Sequence, residues 1–493
     1  MFKSFPFRVY LVALVLRLIP VLLTRGLGIG LDDMFQYDML ARSLAAGHGY
    51  RWYAETDLKQ LASFVDFDLA SVRDYDPALG ISTSFRAPLY PTFLAVVYFF
   101  AGTDFSRFFA ARLAQAVFLG APLAPLTYLV AQGLSSCLFP DEKKDERRKK
   151  VEKVSRLSAW TVAAYPMLLV YPLGLGTENP FFVLLLLSVF FLLFSAREPT
   201  SLHFLLSGLF LGLTALTRSV ILPFVGFAVL WAWFLLKNKR GALLIAGAFA
   251  LTVAPWIIRN SLLHHKLTGI ETSMGYNLYL GYHPQGDGSF FFGPSLDLLP
   301  IFDDAERDRI GTEKAVEFIK AQPERILPLA LNRLGFFFGL EKRVLMYFYS
   351  NNIFGFIPLP LLLVISAVLL LPFVFVTTSA ALGLSLLRWT PGHVLLLLLF
   401  IGYIVPHVFI LAEDRFHLAL VPYFAILAAQ VWTGGWRDLS ARWRGSPRER
   451  VVLLTCALAA VLLVTNWGFE LLRDADTIAQ LLGPFGNQTY LPY

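Results

Sequence analysis

"FRVYLVALVLRLIPVLLTRGLGIGLDDMFQYDMLARSLAAGHGY", residues 7–50, starts as an apolar run and leaves it on two adjacent carboxylates, Asp32 and Asp33. The run is long enough to cross a bilayer's hydrocarbon, which takes roughly 20 mostly apolar residues. Beyond the carboxylates, Met34, Tyr37, Leu40, Ala41 and Leu44 recur at spacings of three and four, the period of an amphipathic helix. Gly47 and Gly49 then end that pattern. The stretch predicts a membrane helix followed by a short juxtamembrane helix whose amino terminus carries the acids.

Comparable apolar runs fill the rest of the chain. With 493 residues, 56% of them hydrophobic, and a mean hydropathy of +0.60, the sequence is too apolar for a protein with a fully solvated surface. Candidate spans fall at 7–23, 87–101, 108–132, 157–176, 180–195, 203–217, 219–236, 241–258, 355–376, 392–411, 417–433 and 451–466. The expected fold is an all-α integral membrane bundle of about twelve transmembrane helices in a single polytopic domain, residues 1–493. The basic start, Lys3 and Arg8, resembles a signal sequence but has no small-residue cleavage site behind it, so it reads as a retained first helix. Two full crossings between 86 and 133 would return the chain to the outer side just before its most basic stretch, so one of these segments is expected to be re-entrant or misassigned.

The formal net charge of +7 is spread through short loops between apolar runs, which excludes a nucleic-acid surface and sets orientation instead. The basic stretch 140–156, "KNKR" at 237–240 and the arginine-rich 436–450 are expected on the cytoplasmic side. Two long polar segments belong outside: 24–85, with nine acids against five bases, and 259–352, nearly balanced. The second of these contains another amphipathic pattern, with Ile310, Ala315, Phe318 and Ile319 on one side and an interruption at Pro323. Cys137 and Cys456 suggest neither a disulfide framework nor a metal site, and the adjacent His264 and His265 are expected in a solvated loop.

The residues able to do chemistry stand where apolar runs end on the outer side. An acid at a helix start is commonly a cap, as either Asp32 or Asp33 would be. At the mouth of a membrane cavity the same acid can take a proton from an acceptor hydroxyl. Arg86, in "SFRAPLYP" (84–91), reads as an interfacial anchor or as the partner of a lipid phosphate, which a guanidinium binds through two oxygens at once. Glu178 in "GLGTENPFF" (174–182), Arg218 in "LTALTRSVILP", Arg259 in "APWIIRN" (254–260), and Glu413, Asp414, Arg415 and His417 in "AEDRFHLALVP" (412–422) share that side. Together they suit an anionic lipid headgroup. No HExxH, P-loop or GxSxG pattern is present.

The ordered set "DDMFQYDMLARSLAAGHGY", "FRAPLYPTFLA", "GTENPFF", "LTALTRS", "APWIIRN", "TSMGYNLYLGYHPQGDGSF" and "EDRFHLALVP" resembles polytopic GT-C glycosyltransferases of the protein O-mannosyltransferase and aminoarabinose transferase type. These take a sugar from a polyprenyl phosphate carrier. The resemblance covers nearly the whole chain and implies a GT-C-like bundle with amphipathic juxtamembrane helices in two outer loops. It places the family's first-loop acid, four residues before a tyrosine, on Asp33 with Tyr37 following, and leaves Asp32 as a possible substitute. The family's carrier-phosphate residue falls on Arg86, although Ala87 separates it from Pro88 here, and the turn acid falls on Glu178. Gly275, Tyr276, Asn277 and Gly281 match a second-loop segment of bacterial members.

The expected function is therefore transfer of a hexosyl or pentosyl group from a polyprenyl-phosphate-linked donor to a hydroxyl on a glycan, lipid or protein, with inversion. Asp33 is the expected base, with Arg86 and either Arg218 or Arg415 on the phosphate. The histidine-containing second-span motif of protein mannosyltransferases is missing, which weighs against a protein acceptor. Membrane lipid is an expected partner, nucleic acid is not, and no metal or other cofactor is expected. The expected location is a bacterial plasma membrane with the site facing outward. The alternative is a transporter or flippase of lipid-linked sugars, which would place its charges near mid-membrane.

Overall fold

A computed structural model describes residues 4–69, 72, 74–135 and 144–489; Cys137 and the first four residues of the basic stretch lie outside these. Among the described residues, eight helices are long and apolar enough to cross a membrane: Phe5–Leu23, Arg107–Ser135, Glu178–Arg197, Lys239–Leu263, Leu359–Leu384, Pro391–Phe409, Phe416–Arg444 and Pro447–Arg473. Three shorter apolar helices, Leu89–Ala101, Ser201–Ala215 and Ser219–Leu235, bring the apolar elements to eleven, against the twelve read from hydropathy. The protein is an all-α integral membrane protein. Its strands among the described residues are one short antiparallel pair, Arg51–Trp52 with Ile81–Ser82.

The twelfth expected span, 157–176, is not one helix. The basic stretch from residue 144 onward is itself helical and continues into the apolar part as Lys144–Ala164. Pro166 then breaks it, because a proline supplies no N–H and forces the residue before it out of the helical region; Tyr165 sits at φ −67°, ψ 117°. Pro166–Val170 and Tyr171–Leu173 follow as separate short turns. Within a membrane the carbonyls freed by such a break need donors. Arg17, fully buried in the first helix, provides them, donating from Nη2 to Val162 at 3.2 Å and from Nη1 to Ala163 at 3.2 Å.

The segment between residues 86 and 133 likewise does not form two full-length apolar helices. Leu89–Ala101 has 13 residues and so reaches only about 20 Å, short of the roughly 30 Å of hydrocarbon. Both its ends are tied to the helix that follows the first span: Arg86 pairs with Asp33 before it, and near its end the Tyr98 hydroxyl donates to Asp38 at 2.9 Å. It packs along Asp33–Ala45 and is short for a crossing of its own, whereas Arg107–Ser135 is long and apolar enough to cross.

The juxtamembrane helix runs Asp33–Ala45, with the Asp32 side chain accepting the Met34 N–H at 2.8 Å as its cap, and Gly47 and Gly49 beyond it at positive φ. Protein covers it on two sides rather than one. Phe35, Met39 and Leu40 join Trp52, Tyr53, Phe85 and Phe302 on one side, and Tyr37 and Ala41 join Tyr90, Leu94 and Tyr98 on the other. Asp38 binds Arg42 and Arg107 at 2.8 and 2.7 Å, and Arg42 reaches Asp57 at 2.7 Å, so the polar residues within this layer are neutralised in place. The second long polar segment forms Asp304–Ala321, a turn at Pro323–Arg325, and Ile326–Phe337, interrupted where Pro323 predicts. Asp304, 1% exposed, clamps this segment to the first loop by accepting from Thr83 Oγ1 at 2.5 Å and from the Ser84 N–H at 2.7 Å.

Candidate active site

The first turn of Asp33–Ala45 presents Asp33, Gln36 and Tyr37 together, because residues three and four apart share a helix face. All three grip Arg86. Its Nη2 contacts Asp33 Oδ1, its Nε donates to Gln36 at 2.8 Å, and its guanidinium carbon stands 5.3 Å from the centre of the Tyr37 ring. Arg86 is aimed by its own backbone: the Tyr50 hydroxyl donates to the carbonyls of Arg86 and Ala87 at 3.0 and 3.1 Å, and the Asp304 clamp holds the two residues before Phe85.

A second pair forms on the other side of Asp33. Glu178 opens the helix Glu178–Arg197, where the helix dipole favours an anion, and Oε1 accepts from Arg218 Nη1 at 2.5 Å. Arg415 lies between the two acids, with Nη2 at 3.4 Å from Asp33 Oδ2 and Nε at 3.7 Å from Glu178 Oε1. Arg415 also pairs with Glu413 at 2.9 Å, and Arg343 meets Glu413 and Asp414 at 3.1 and 3.3 Å. Four acids and four arginines from six separate parts of the chain thus form one continuous network.

A cavity of about 150 Å³ opens beside it, lined by Asp32, Asp33, Tyr37, Glu178, Arg343 and Arg415, with Met167, Val170, Leu173 and Phe348 as its apolar wall. Arg86 and Arg218 do not line it; they approach Asp33 and Glu178 from behind. Arg112 forms part of the wall but is committed to backbone carbonyls, donating to Leu173 at 2.8 Å, to Gly28 at 2.6 Å and to Leu27.

The network fixes protonation states. Burial pushes the Asp33 carboxyl up, but the guanidiniums of Arg86, Arg415 and Arg218 outweigh it and hold the group below its ordinary value. Asp32 moves the other way, raised by burial and by the neighbouring charge of Asp33. Burial lifts the Tyr37 hydroxyl to about 12, so it remains a hydrogen-bond donor at neutral pH. Asp33 thus enters the cavity as an anion with a guanidinium on each oxygen, its side chain 37% exposed.

Each candidate from the sequence, Asp32, Asp33, Tyr37, Arg86, Glu178, Arg218 and Arg415, lies in this network or on the cavity wall. Arg259 does not: it packs on Tyr50 and Trp256 and donates to the Thr83 carbonyl at 2.5 Å. His264 is not in a solvated loop; its Nε2 is 2.7 Å from Ser84 Oγ, and only His265 is exposed. Arg343 and Gln36 were not foreseen. "LEKR" (340–343) is a charged step between two apolar stretches, as "EDR" (413–415) is, and that likeness was the available signal. Gly275 and Gly281 serve close packing: a methyl group on either would fall 1.9 Å from a backbone oxygen, of Asp308 and Ile410 respectively.

No protein-family model and no curated protein matches the chain. Among solved structures it is similar to ArnT from Cupriavidus metallidurans bound to undecaprenyl phosphate, at 14% identity and a TM-score of 0.37, over 96% of this chain and 90% of that one. It is also similar to the apo state of the same protein, at 15% identity and a TM-score of 0.34, over 88% and 78% of the two chains.

Proposed function

We propose that this chain is a membrane glycosyltransferase that moves a sugar from a polyprenyl phosphate carrier to an acceptor hydroxyl on the outer face of a bacterial plasma membrane. One observation carries this reading: a carboxylate, Asp33, stands on the wall of a cavity whose other polar groups include two guanidiniums, Arg415 and Arg343. Glycosyl transfer from a lipid phosphate needs that combination. The acceptor oxygen attacks the anomeric carbon while the bond from that carbon to the phosphate oxygen breaks. The acceptor's proton goes to a base, and the leaving phosphate keeps the bonding electrons.

Asp33 takes the proton in this scheme, and the arginines hold the phosphate. A single displacement without a covalent enzyme intermediate gives inversion. The pairing around Asp33 adds a condition: a carboxylate with both oxygens on guanidiniums is a poor proton acceptor. An arriving phosphate competes for Arg415, which lines the cavity, and frees one oxygen, so the donor binds before the base becomes effective. Tyr37 stays protonated and can donate to the phosphate or the sugar, while Glu178 faces both Arg218 and Arg415 and offsets their repulsion.

Purified protein incubated with a panel of polyprenyl-linked sugars tests the reading. Mass spectrometry is expected to show release of the free carrier phosphate together with a glycosylated acceptor. Sugar carried across a sealed vesicle with its linkage intact would instead establish the transporter.

A further inference from the structure

Outside the charge network, one buried ionisable group has no part in the chemistry above. Glu341 is 1% exposed; its Oε1 accepts from the Tyr165 hydroxyl at 2.7 Å and faces His417 Nε2 at 3.0 Å, while Oε2 has no partner. His417 is fully buried, stacks on Phe373 with ring centres 4.3 Å apart, and places Nδ1 2.8 Å from the Phe337 carbonyl, which makes Nδ1 the protonated nitrogen. Burying a carboxyl and an imidazole together is weak evidence for stability, since apolar residues of similar shape commonly do as well. A use that depends on their position is the better account.

That position is specific. Glu341 lies two residues before Arg343, and His417 lies two residues after Arg415. The two segments are therefore joined by two rungs: the buried one between Glu341 and His417, and the one at the cavity between Arg343 and the pair Glu413 and Asp414. Tyr165, from the chain break below the cavity, fixes the buried rung from a third side. On the far side, Lys342 pairs with Glu470 at 2.6 Å and the Leu340 N–H donates to Glu470 at 2.9 Å, so residues 340–343 are held from both directions.

We infer that the Glu341–His417 pair, tied to Tyr165, is a positioning device that sets the separation of Arg343 and Arg415 across the cavity. This rests on the glycosyl-transfer reading of that cavity. A rigid buried rung keeps two like-charged guanidiniums converging where they would otherwise drift apart, and it does so without touching the substrate.

The decisive variant is the triple change Tyr165→Phe, Glu341→Met and His417→Phe, which removes the three polar side chains together, takes a donor from the Phe337 carbonyl alone, and keeps the volume and the stack on Phe373. Its melting temperature is expected near that of the unaltered protein, with turnover of the polyprenyl-linked sugar reduced roughly ten- to hundredfold, the scale for a misplacement of about 1 Å. Glu341→Gln, which keeps the volume and leaves an amide oxygen to accept from Tyr165, is expected to retain more of the turnover than the triple variant. Cryo-electron microscopy of the triple variant is expected to show Arg343 withdrawn from Glu413 and Asp414. Full turnover in the triple variant, or both arginines in their original places, overturns the inference. His417→Phe alone carries the same structural test should the triple variant not fold. If the unaltered protein turns over no donor in the panel, glycosyl transfer fails as a reading, and the arginine positions still decide the inference.

Discussion

The carboxylate of Asp33 and the guanidinium of Arg86 are in direct contact although 53 residues separate them in the chain. The contact joins the start of the juxtamembrane helix to the segment leading into Leu89–Ala101, and it is the largest of the charge effects that oppose burial at Asp33. Burial favours the neutral acid, and the guanidiniums reverse that preference, Arg86 most strongly. Because the carboxyl titrates below its ordinary value in the folded protein, the stabilisation from its pairing is complete above the ordinary carboxylate range and is lost as pH falls through the depressed value. Replacing Arg86 with Gln removes the largest opposing charge, so the Asp33 value rises. The acid limb of the pH profile of kcat/KM, which reports the free enzyme, is expected to move to higher pH. An unmoved limb would take Asp33 out of the titrating step.

Asp33→Asn keeps the shape and one acceptor oxygen but cannot take up a proton. If Asp33 is the base, turnover falls roughly 10²- to 10⁴-fold while binding of polyprenyl phosphate is retained or strengthened, because Arg415, on the cavity wall, loses its competing carboxylate. Parallel binding and single-turnover assays separate the two effects. Asp32→Asn should do much less, since Asp32 caps the helix through the Met34 N–H and an asparagine side chain serves that purpose equally well.

Arg343 and Arg415 line the cavity, whereas Arg86 and Arg218 stand behind the acids. Arg343→Gln is therefore expected to weaken donor binding by about tenfold to a hundredfold, the worth of one charged hydrogen bond at about 1.5–3 kcal/mol. Titration with polyprenyl phosphate would measure this directly. Affinity equal to that of the unaltered protein would remove Arg343 from the phosphate site.

What could be read in advance followed from the membrane itself. Charged residues survive in so apolar a chain mainly where a span ends, so Asp33, Arg86, Glu178, Arg218 and Arg415 stood out against their surroundings. Arg343 did not, because it lies in a segment of balanced charge where one more arginine attracts no notice. Hydropathy also cannot fix how far an apolar helix extends; the run expected at 87–101 forms a helix of 13 residues, Leu89–Ala101, shorter than the hydrocarbon of a bilayer. His264 looked solvated beside His265 because its cover, Ser84, is 180 residues away in the chain.

Gly275 offers a test of how the outer layer supports the site. It lies in Met274–Tyr282, pressed against Asp304–Ala321; a methyl group there would stand 1.9 Å from the Asp308 carbonyl oxygen and 2.7 Å from Thr312 Oγ1. A backbone oxygen cannot rotate away, so Gly275→Ala must push the two helices apart, at a cost of about 1–3 kcal/mol. The displaced helix begins at Asp304, whose carboxylate holds Thr83 and Ser84 just ahead of Arg86. A lower melting temperature is therefore expected together with reduced turnover and a loosened Arg86. Gly293→Ala, where an added methyl meets nothing within 4 Å, is the matched control and should change neither. If Gly275→Ala melts like the control, the two helices are not in the tight contact described here, and the support they give to Arg86 falls with it.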